Sequence, residues 1–488
     1  MIAAFRTCSV RSLDRVIALA VLAALAILWS AAGALAADDF DAWPDPDEMQ
    51  FERITFNPET PERFELANGM VVYFLENRNL PIVKGAIYLR AGSLVESKDQ
   101  VGLADLTADL IRTGGTESLS PEAVDEELDF IAASVSVSPS LLFTSVSFAS
   151  LSEFSGRTFE IVSDLLQRPA FAPDRLEVAR GRYLEAIRRQ NDNPVEIALR
   201  EFFHRLAADH PAGAYMTEEI MRSLTRDDVV AFYRNHYRPD GAVVVVSGDI
   251  DRDTLREQLE RTIGTWQVPA GEPVPPPPFN PAPEPKVYHA QKGTTQSVIV
   301  IGYPALMLTD PDFAPLAVAN RVLGGGNLQD RLATEIRARR GLAYVTQSTL
   351  TEGHAFPGFF YALAISRADA TAQVIELIKA EIQRLIDEPI PADELVRNRE
   401  AILNRAVFRF ATPADVVRTA ALAEMYGLPA DYFERYIERI QSLTADDIQA
   451  AVRRWLDPDR MITLVVGDAA QFDRPLDVFG EVESIVLD

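Results

Sequence analysis

Ser223-Leu224-Thr225-Arg226-Asp227-Asp228, running on to Ser247-Gly248-Asp249, is written twice in this chain. The second copy is Ser442-Leu443-Thr444-Ala445-Asp446-Asp447, running on to Val466-Gly467-Asp468, at a constant offset of 219 residues without a gap. The chain is therefore a tandem duplication. In each copy Thr225 or Thr444 is placed to cap a helix, and the two aspartates fall in the first turn, where the helix dipole favours negative charge. A Pro-Asp turn then leads into a short apolar run, Val243 to Val246 and Ile462 to Val466, as expected for buried strands.

Working outward, Pro269 to Pro285 separates the copies and includes Pro275-Pro276-Pro277-Pro278, which can continue neither a helix nor a central strand and should be an extended spacer. Val71 to Leu75, Val83 to Leu89 and Ser297 to Ile301 read as further strands. Ser120-Pro121-Glu122-Ala123 opens a helix with a cap and a proline in the first turn. Val374, Ile375, Ile378, Ile382 and Leu385 recur at helical spacing and read as core packing. Strand runs with separate helices predict an α+β fold of two homologous domains, each a mainly antiparallel sheet covered by helices on one face.

The N-terminus reads as a targeting segment: Arg6, Arg11 and Arg15 precede the apolar run from Val16 to Trp29, and small residues lead to Ala34-Leu35-Ala36. Residues 1–36 are expected to be a cleaved signal peptide, making the protein exported and periplasmic; an uncleaved membrane anchor is the alternative. Cys8, the only cysteine, falls in that segment, so the mature chain would have no disulfide and no thiolate ligand. With 48% hydrophobic and 24% charged residues the remainder can build a packed core. The formal charge of −25 would become −27 on loss of the leader. It excludes nucleic acid and an anionic membrane surface as partners, and leaves basic peptides and solubility as its uses.

Ala91-Gly92-Ser93-Leu94-Val95-Glu96, followed by Val101-Gly102-Leu103-Ala104, resembles the lead-in to the active-site helix of pitrilysin-like (insulinase-type) zinc metallopeptidases. In zinc-binding members that helix continues His-x-x-Glu-His, with two histidines ligating zinc and the glutamate activating water. Here it continues Asp105-Leu106-Thr107-Ala108-Asp109, so aspartate stands at both histidine positions and Ala108 at that of the glutamate. The resemblance places the third ligand on Ala186, which cannot bind a metal. Asp105 and Asp109, with Glu185, fall short of the oxygen count that calcium prefers, and a solvated helix face is the expected reading. The five histidines, His204, His210, His236, His289 and His354, include no pair four apart. His210-Pro211-Ala212-Gly213 resembles a structural loop of the same family.

In the second half, Leu323-Gly324-Gly325-Gly326-Asn327, then Arg331-Leu332, then Glu335 through Tyr344, is similar to the family's glycine-rich loop and Arg/Tyr element. Asn327 would cap a helix whose apolar side is Leu328, Leu332 and Ile336, and Gly341 would end it. Arg337 and Tyr344 have the spacing of the pair that, in those enzymes, reaches the substrate. A guanidinium can donate to substrate carbonyls and a phenol to an oxyanion. Arginines in a last turn also suit the helix dipole, and a tyrosine after it can simply pack.

The resemblance covers about Phe64 to Asp468. It implies a domain over 37–268 with a degenerate zinc motif, a linker over 269–286 and a domain over 287–488, together half of a clamshell. In the heterodimeric subfamily similar to mitochondrial processing peptidase and its bacterial relatives, one subunit holds zinc and the other supplies the Arg/Tyr pair. The expectation is the second kind: no catalytic residue acting in isolation, no cofactor in this chain, a zinc-bearing partner, and peptide held by Arg337, Tyr344, Gly324, Gly325 and Gly326. A structural or peptide-binding scaffold of the same fold is the alternative.

Overall fold

Two six-stranded sheets organise the described part of the chain, which in this computed structural model comprises residues 59–207, 210–267, 272, 274–279, 284–326 and 328–487. The leader, its cleavage site, Cys8, Asn327 and much of the linker lie outside the described residues. The first sheet has the order β1-β2-β6-β3-β5-β4, from β1 (Glu62–Glu65), β2 (Val71–Glu76), β3 (Ile82–Leu89), β4 (Ser134–Pro139), β5 (Thr144–Leu151) and β6 (Val243–Gly248). The second has the order β12-β7-β11-β8-β10-β9, from β7 (Val287–Gln291), β8 (Gln296–Pro304), β9 (Ala343–Leu350), β10 (Phe359–Arg367), β11 (Ile462–Gly467) and β12 (Val482–Ile485). The repeated strands β6 and β11 take the same place, with a parallel neighbour on one side (β2 or β7) and an antiparallel one on the other (β3 or β8). Only the far edge differs, β1 being antiparallel to its neighbour and β12 parallel.

The repeat marks the same helix twice. Thr225 accepts from the Asp228 N–H while the Asp228 carboxylate accepts from the Thr225 N–H, and Thr444 and Asp447 do the same. Ser120 caps the helix Pro121–Phe130 as its sequence implies, and the apolar stripe from Val374 to Leu385 is buried along the helix Thr371–Asp387.

Helices do not stay on one face of each sheet, contrary to the expectation. β6 and β11 are buried at every residue, and their two faces enter different cores. Val244 and Val246 pack with the first half's own helices, whereas Val243 and Val245 meet Val417, Ala421 and Met425 of the helix Pro413–Met425. Reciprocally, Val465 packs within the second half, and Ile462, Leu464 and Val466 meet Ile197, Ala198 and Phe202 of the helix Pro194–Leu206. Each half thus covers the outer face of the other's sheet, which explains strands that are uniformly apolar rather than alternating. The exchanged helices themselves lie 219 residues apart and open alike, Asn193 or Thr412 capping a first-turn proline. Glu424, at the end of one of them, accepts from the Tyr73 hydroxyl at 2.6 Å and from Arg63 at 3.1 Å, tying it to β2 and β1. Residues from Phe56 onward accordingly form one compact unit.

The proline run at 275–278 is exposed and belongs to no helix or strand, and Phe279 anchors its end between the rings of His210 and Phe356, each 4.9 Å away. His210 also meets the Pro277 carbonyl at 3.3 Å, so the His-Pro-Ala-Gly loop holds the linker in place. No helix among the described residues is long and apolar enough to cross a membrane.

Candidate functional site

The helix Leu103–Thr113 begins at Gly102, which has φ +97° and brings no side chain to the cap. Glu96 supplies the missing acceptor, taking the Ala104 N–H at 2.6 Å and the Gly102 N–H at 3.2 Å. Burial pushes its pKa up to about 7 although these N–H groups pull the other way. This role was not drawn from the sequence, where an acid just before a glycine-led helix was the available sign.

One turn into that helix, Asp105 lines a cavity of about 470 Å³ together with Glu96, Tyr183, Ala186, Gln190 and Tyr215. Burial, then the charge of Asp109, raises its pKa to about 6. Asp109 is ion-paired with Arg182 at 2.9 Å, on the helix Pro173–Arg189 that also carries Ala186. Ala108 is fully buried. The structure therefore brings Asp105 and Ala186 to one cavity, across two facing helices. The aspartates do not form a solvated face: Asp105 is half-buried and Asp109 is committed to an arginine. Glu185 points elsewhere, bonded by Arg189 at 2.6 Å, and does not join them. Two of the four positions are methyl groups and one is neutralised, a set that does not fit zinc. Among the described residues no group of three or more His, Cys, Asp or Glu could hold a metal ion.

In the second half Gly324 ends the helix Phe313–Leu323 against β9, its carbonyl accepting from the Ser348 N–H at 2.7 Å; a Cβ there would lie 2.6 Å from that nitrogen. Gly326 has φ +98°, and the Gly325 carbonyl accepts from Arg321 at 2.9 Å. The expected cap at Asn327 falls outside the described residues. Asp330 accepts the Ala333 N–H at 2.7 Å and opens the turn instead. Leu332 and Ile336 are buried as expected, but Leu328 is 71% exposed and is no part of the apolar side. The turn Ala333–Ala338 is a π-helix, a wider coil than the α-helix expected. Gly341, at φ +63°, follows it.

Arg339 and Arg340 both bond Glu335, and Arg331 is buried against Glu394. Arg337 takes neither partner. Its guanidinium lies 4.9 Å from the centre of the Tyr344 ring, at the start of β9, and that tyrosine is 73% exposed. The structure thus places the two predicted residues together, and among the described residues their polar groups have no hydrogen-bond or ion-pair partner.

A model of the insulinase family, peptidase family M16, matches residues 71–217, and one described as the peptidase M16 inactive domain matches residues 223–402. The chain belongs to peptidase family M16. Among M16 relatives, an uncharacterized zinc protease of Streptomyces coelicolor is 25% identical over 404 residues, 81% of this chain and 87% of its own. A non-peptidase homolog of Helicobacter pylori, YmxG, is 24% identical over 390 residues, 78% and 88% of the two chains. The same fold is found in a peptidase M16 inactive domain from Pseudomonas fluorescens, with TM-score 0.75 and 23% identity over 84% of this chain and 98% of that one. The periplasmic protease PqqL of Escherichia coli shares it too, with TM-score 0.72 and 14% identity, over 89% of this chain and 49% of that one.

The words "inactive domain" describe the match to the second half of this M16 chain. The first half carries no His-x-x-Glu-His motif, and Asp105, Ala108, Asp109 and Ala186 stand where the resemblance put the ligands and the glutamate. It is a non-catalytic member of the family.

Proposed function

We infer that this chain is the substrate-binding subunit of a two-subunit M16 peptidase, contributing Arg337 and Tyr344 to an active site whose zinc is held by a partner of the same family. The observation that carries this reading is the Arg337–Tyr344 stack, a half-buried guanidinium on an exposed tyrosine, beside two arginines that are both spent on Glu335. A phenol and a guanidinium held side by side suit an extended peptide, the first donating to an oxyanion and the second to carbonyls. The stack pre-orders both groups before substrate arrives, so less rotational freedom is lost on binding.

In this reading the mature protein starts near Ala37 and is exported to the periplasm; it binds peptide and carries no cofactor of its own. Gly324 lets the loop approach β9 closely, Gly325 packs against Arg321 and Gly326 turns the chain at positive φ, and together they set the position of the Arg/Tyr element. The same close packing favours a second reading, since it accounts for the glycines without any substrate, as a peptide-binding scaffold would need.

The two readings part in one experiment. The protein is combined with a zinc-bearing M16 protein from the same genome, and hydrolysis of a short unstructured peptide is followed for wild type, Arg337→Ala and Tyr344→Phe, with complex formation and zinc content measured separately. Loss of turnover in an intact, zinc-loaded complex supports the subunit reading. Wild-type turnover by both variants supports the scaffold.

A further inference from the structure

A second cavity, of about 210 Å³, lies where the two halves and the linker meet. Arg90, Phe143 and Arg238 line it from the first half, Pro276 from the linker, and His354 and Tyr426 from the second half. Its walls differ from those of the Asp105 cavity in both charge and polarity.

The charges are few and unequal. Arg238 is buried and held by Asp240 through three hydrogen bonds of 2.9, 3.0 and 3.2 Å. Burial lowers the pKa of His236, leaving that ring neutral at pH 7. Arg90 is exposed and forms no hydrogen bond or ion pair among the described residues. Its charge reaches Glu424, but that carboxylate is already bonded to Arg63 and Tyr73. The lining therefore carries one uncompensated positive charge, in a chain whose formal charge is −25.

Apart from Asn235, and His354 whose Nε2 lies 3.5 Å from Glu352 Oε2, the rest is aromatic and apolar. His354 stacks on Tyr426 with ring centres 3.5 Å apart, Phe143 lies 6.0 Å from the same tyrosine, and Leu94 and Met425 are buried alongside. A free guanidinium at the mouth of a small aromatic-walled cavity matches a planar carboxylate on an apolar body. A phosphate dianion would meet only one uncompensated charge, with Asp240 against it.

We propose that this crevice binds a carboxylate carried on an aromatic or apolar group, with Arg90 as the anchor and the Phe143, Tyr426 and His354 rings as the walls. Two sources share that chemistry, a free small carboxylic acid and the C-terminal residue of a peptide. Because the walls come from both halves, the ligand would fasten them together. It would also touch the turn Ser93–Val95, whose Leu94 and Val95 line this cavity while Ser93 lines the Asp105 cavity on its other side. The site stands independently of the role given to Arg337 and Tyr344.

The test titrates N-acetyl-L-phenylalanine, its amide, and a phenylalanine-ended pentapeptide with free or amidated C-terminus into the full mature chain, read by calorimetry and by the thermal midpoint. The free acid should bind and raise the midpoint, and the amide should bind about tenfold or more weakly. Arg90→Gln should abolish the difference between acid and amide; Tyr426→Leu should weaken both. Binding of the free-ended pentapeptide assigns a peptide terminus as occupant, and binding of the small acid alone assigns a free acid. Equal binding of acid and amide, no binding of either, or an unchanged preference in Arg90→Gln overturns the proposal.

Discussion

The two halves share an architecture and part company in how they spend their polar side chains. Around the Asp105 cavity, Glu96 is consumed in capping a helix and Asp109 in pairing with Arg182. In the second half, Arg337 and Tyr344 stack on each other and form no hydrogen bond or ion pair among the described residues, and the tyrosine is exposed. The same fold can thus tie the charged groups of one copy into structural bonds while leaving polar groups of the other outside them.

The sharpest way to break this comparison is to remove a residue that belongs to one half and packs in the other. Phe202, fully buried beneath the second sheet, should cost about 3–5 kcal/mol when changed to alanine. Denaturant unfolding should show a single, weakened transition; a stable first half with a separately melting second would contradict the exchange. Tyr344→Phe comes next. With the zinc-bearing partner present it should raise the barrier by roughly 2.7–4 kcal/mol, a rate loss of about 100- to 1000-fold. Stability should be unchanged, because the hydroxyl has no hydrogen bond among the described residues. Arg337→Ala should act more through the Michaelis constant, since contacts to carbonyls precede the chemistry.

Asp105 sharpens the other side of the comparison. Its folded pKa, about 6, is raised, so the folded state binds the proton more tightly than the unfolded state does. Stability from this group is therefore present below the unfolded pKa and is lost as pH rises through about 6. Asp105→Asn should gain on the order of 1–2 kcal/mol relative to wild type on going from pH 4 to pH 7.5. Urea titrations at the two pH values check it, and a constant difference between the proteins would mean the carboxylate is well solvated. The smallest effect tests where the halves should agree: Thr225→Ala and Thr444→Ala remove equivalent caps and should each cost about 1 kcal/mol.

Much of this was legible because it depends on local chemistry. The two capping boxes, the repeated strand and the Ser120 cap are short-range devices. Asp105 and Ala186, far apart in sequence, line one cavity because their two helices face each other. The exchange of helices was not read, since an amphipathic helix shows that it has a buried face but not which sheet it covers. A sign of it was present: Val243 to Val246 is apolar at every position, and a strand with helices on one face alternates. Leu328 misled because apolar spacing was extended across the glycine loop, where Asp330, not Asn327, opens the turn, and a π-helical coil shifts the period. The burial of Asp105 and the pairing of Asp109 depend on a helix some 70 residues away in sequence, beyond any local pattern.

The helix exchange also sets an order for the chain's manufacture. As the polypeptide is synthesised, the first sheet can be complete once Gly248 has emerged, yet its outer face stays bare until residues 413–425 are made. The helix 194–206, conversely, exists long before the strands it is to cover. A nascent chain therefore presents Val243 and Val245 uncovered on one side until residue 413 is reached, and Phe202 uncovered on the other until the second sheet is made. Such intermediates expose sticky surface and recruit chaperones, and a truncation placed in the proline linker would hold the molecule permanently in that state.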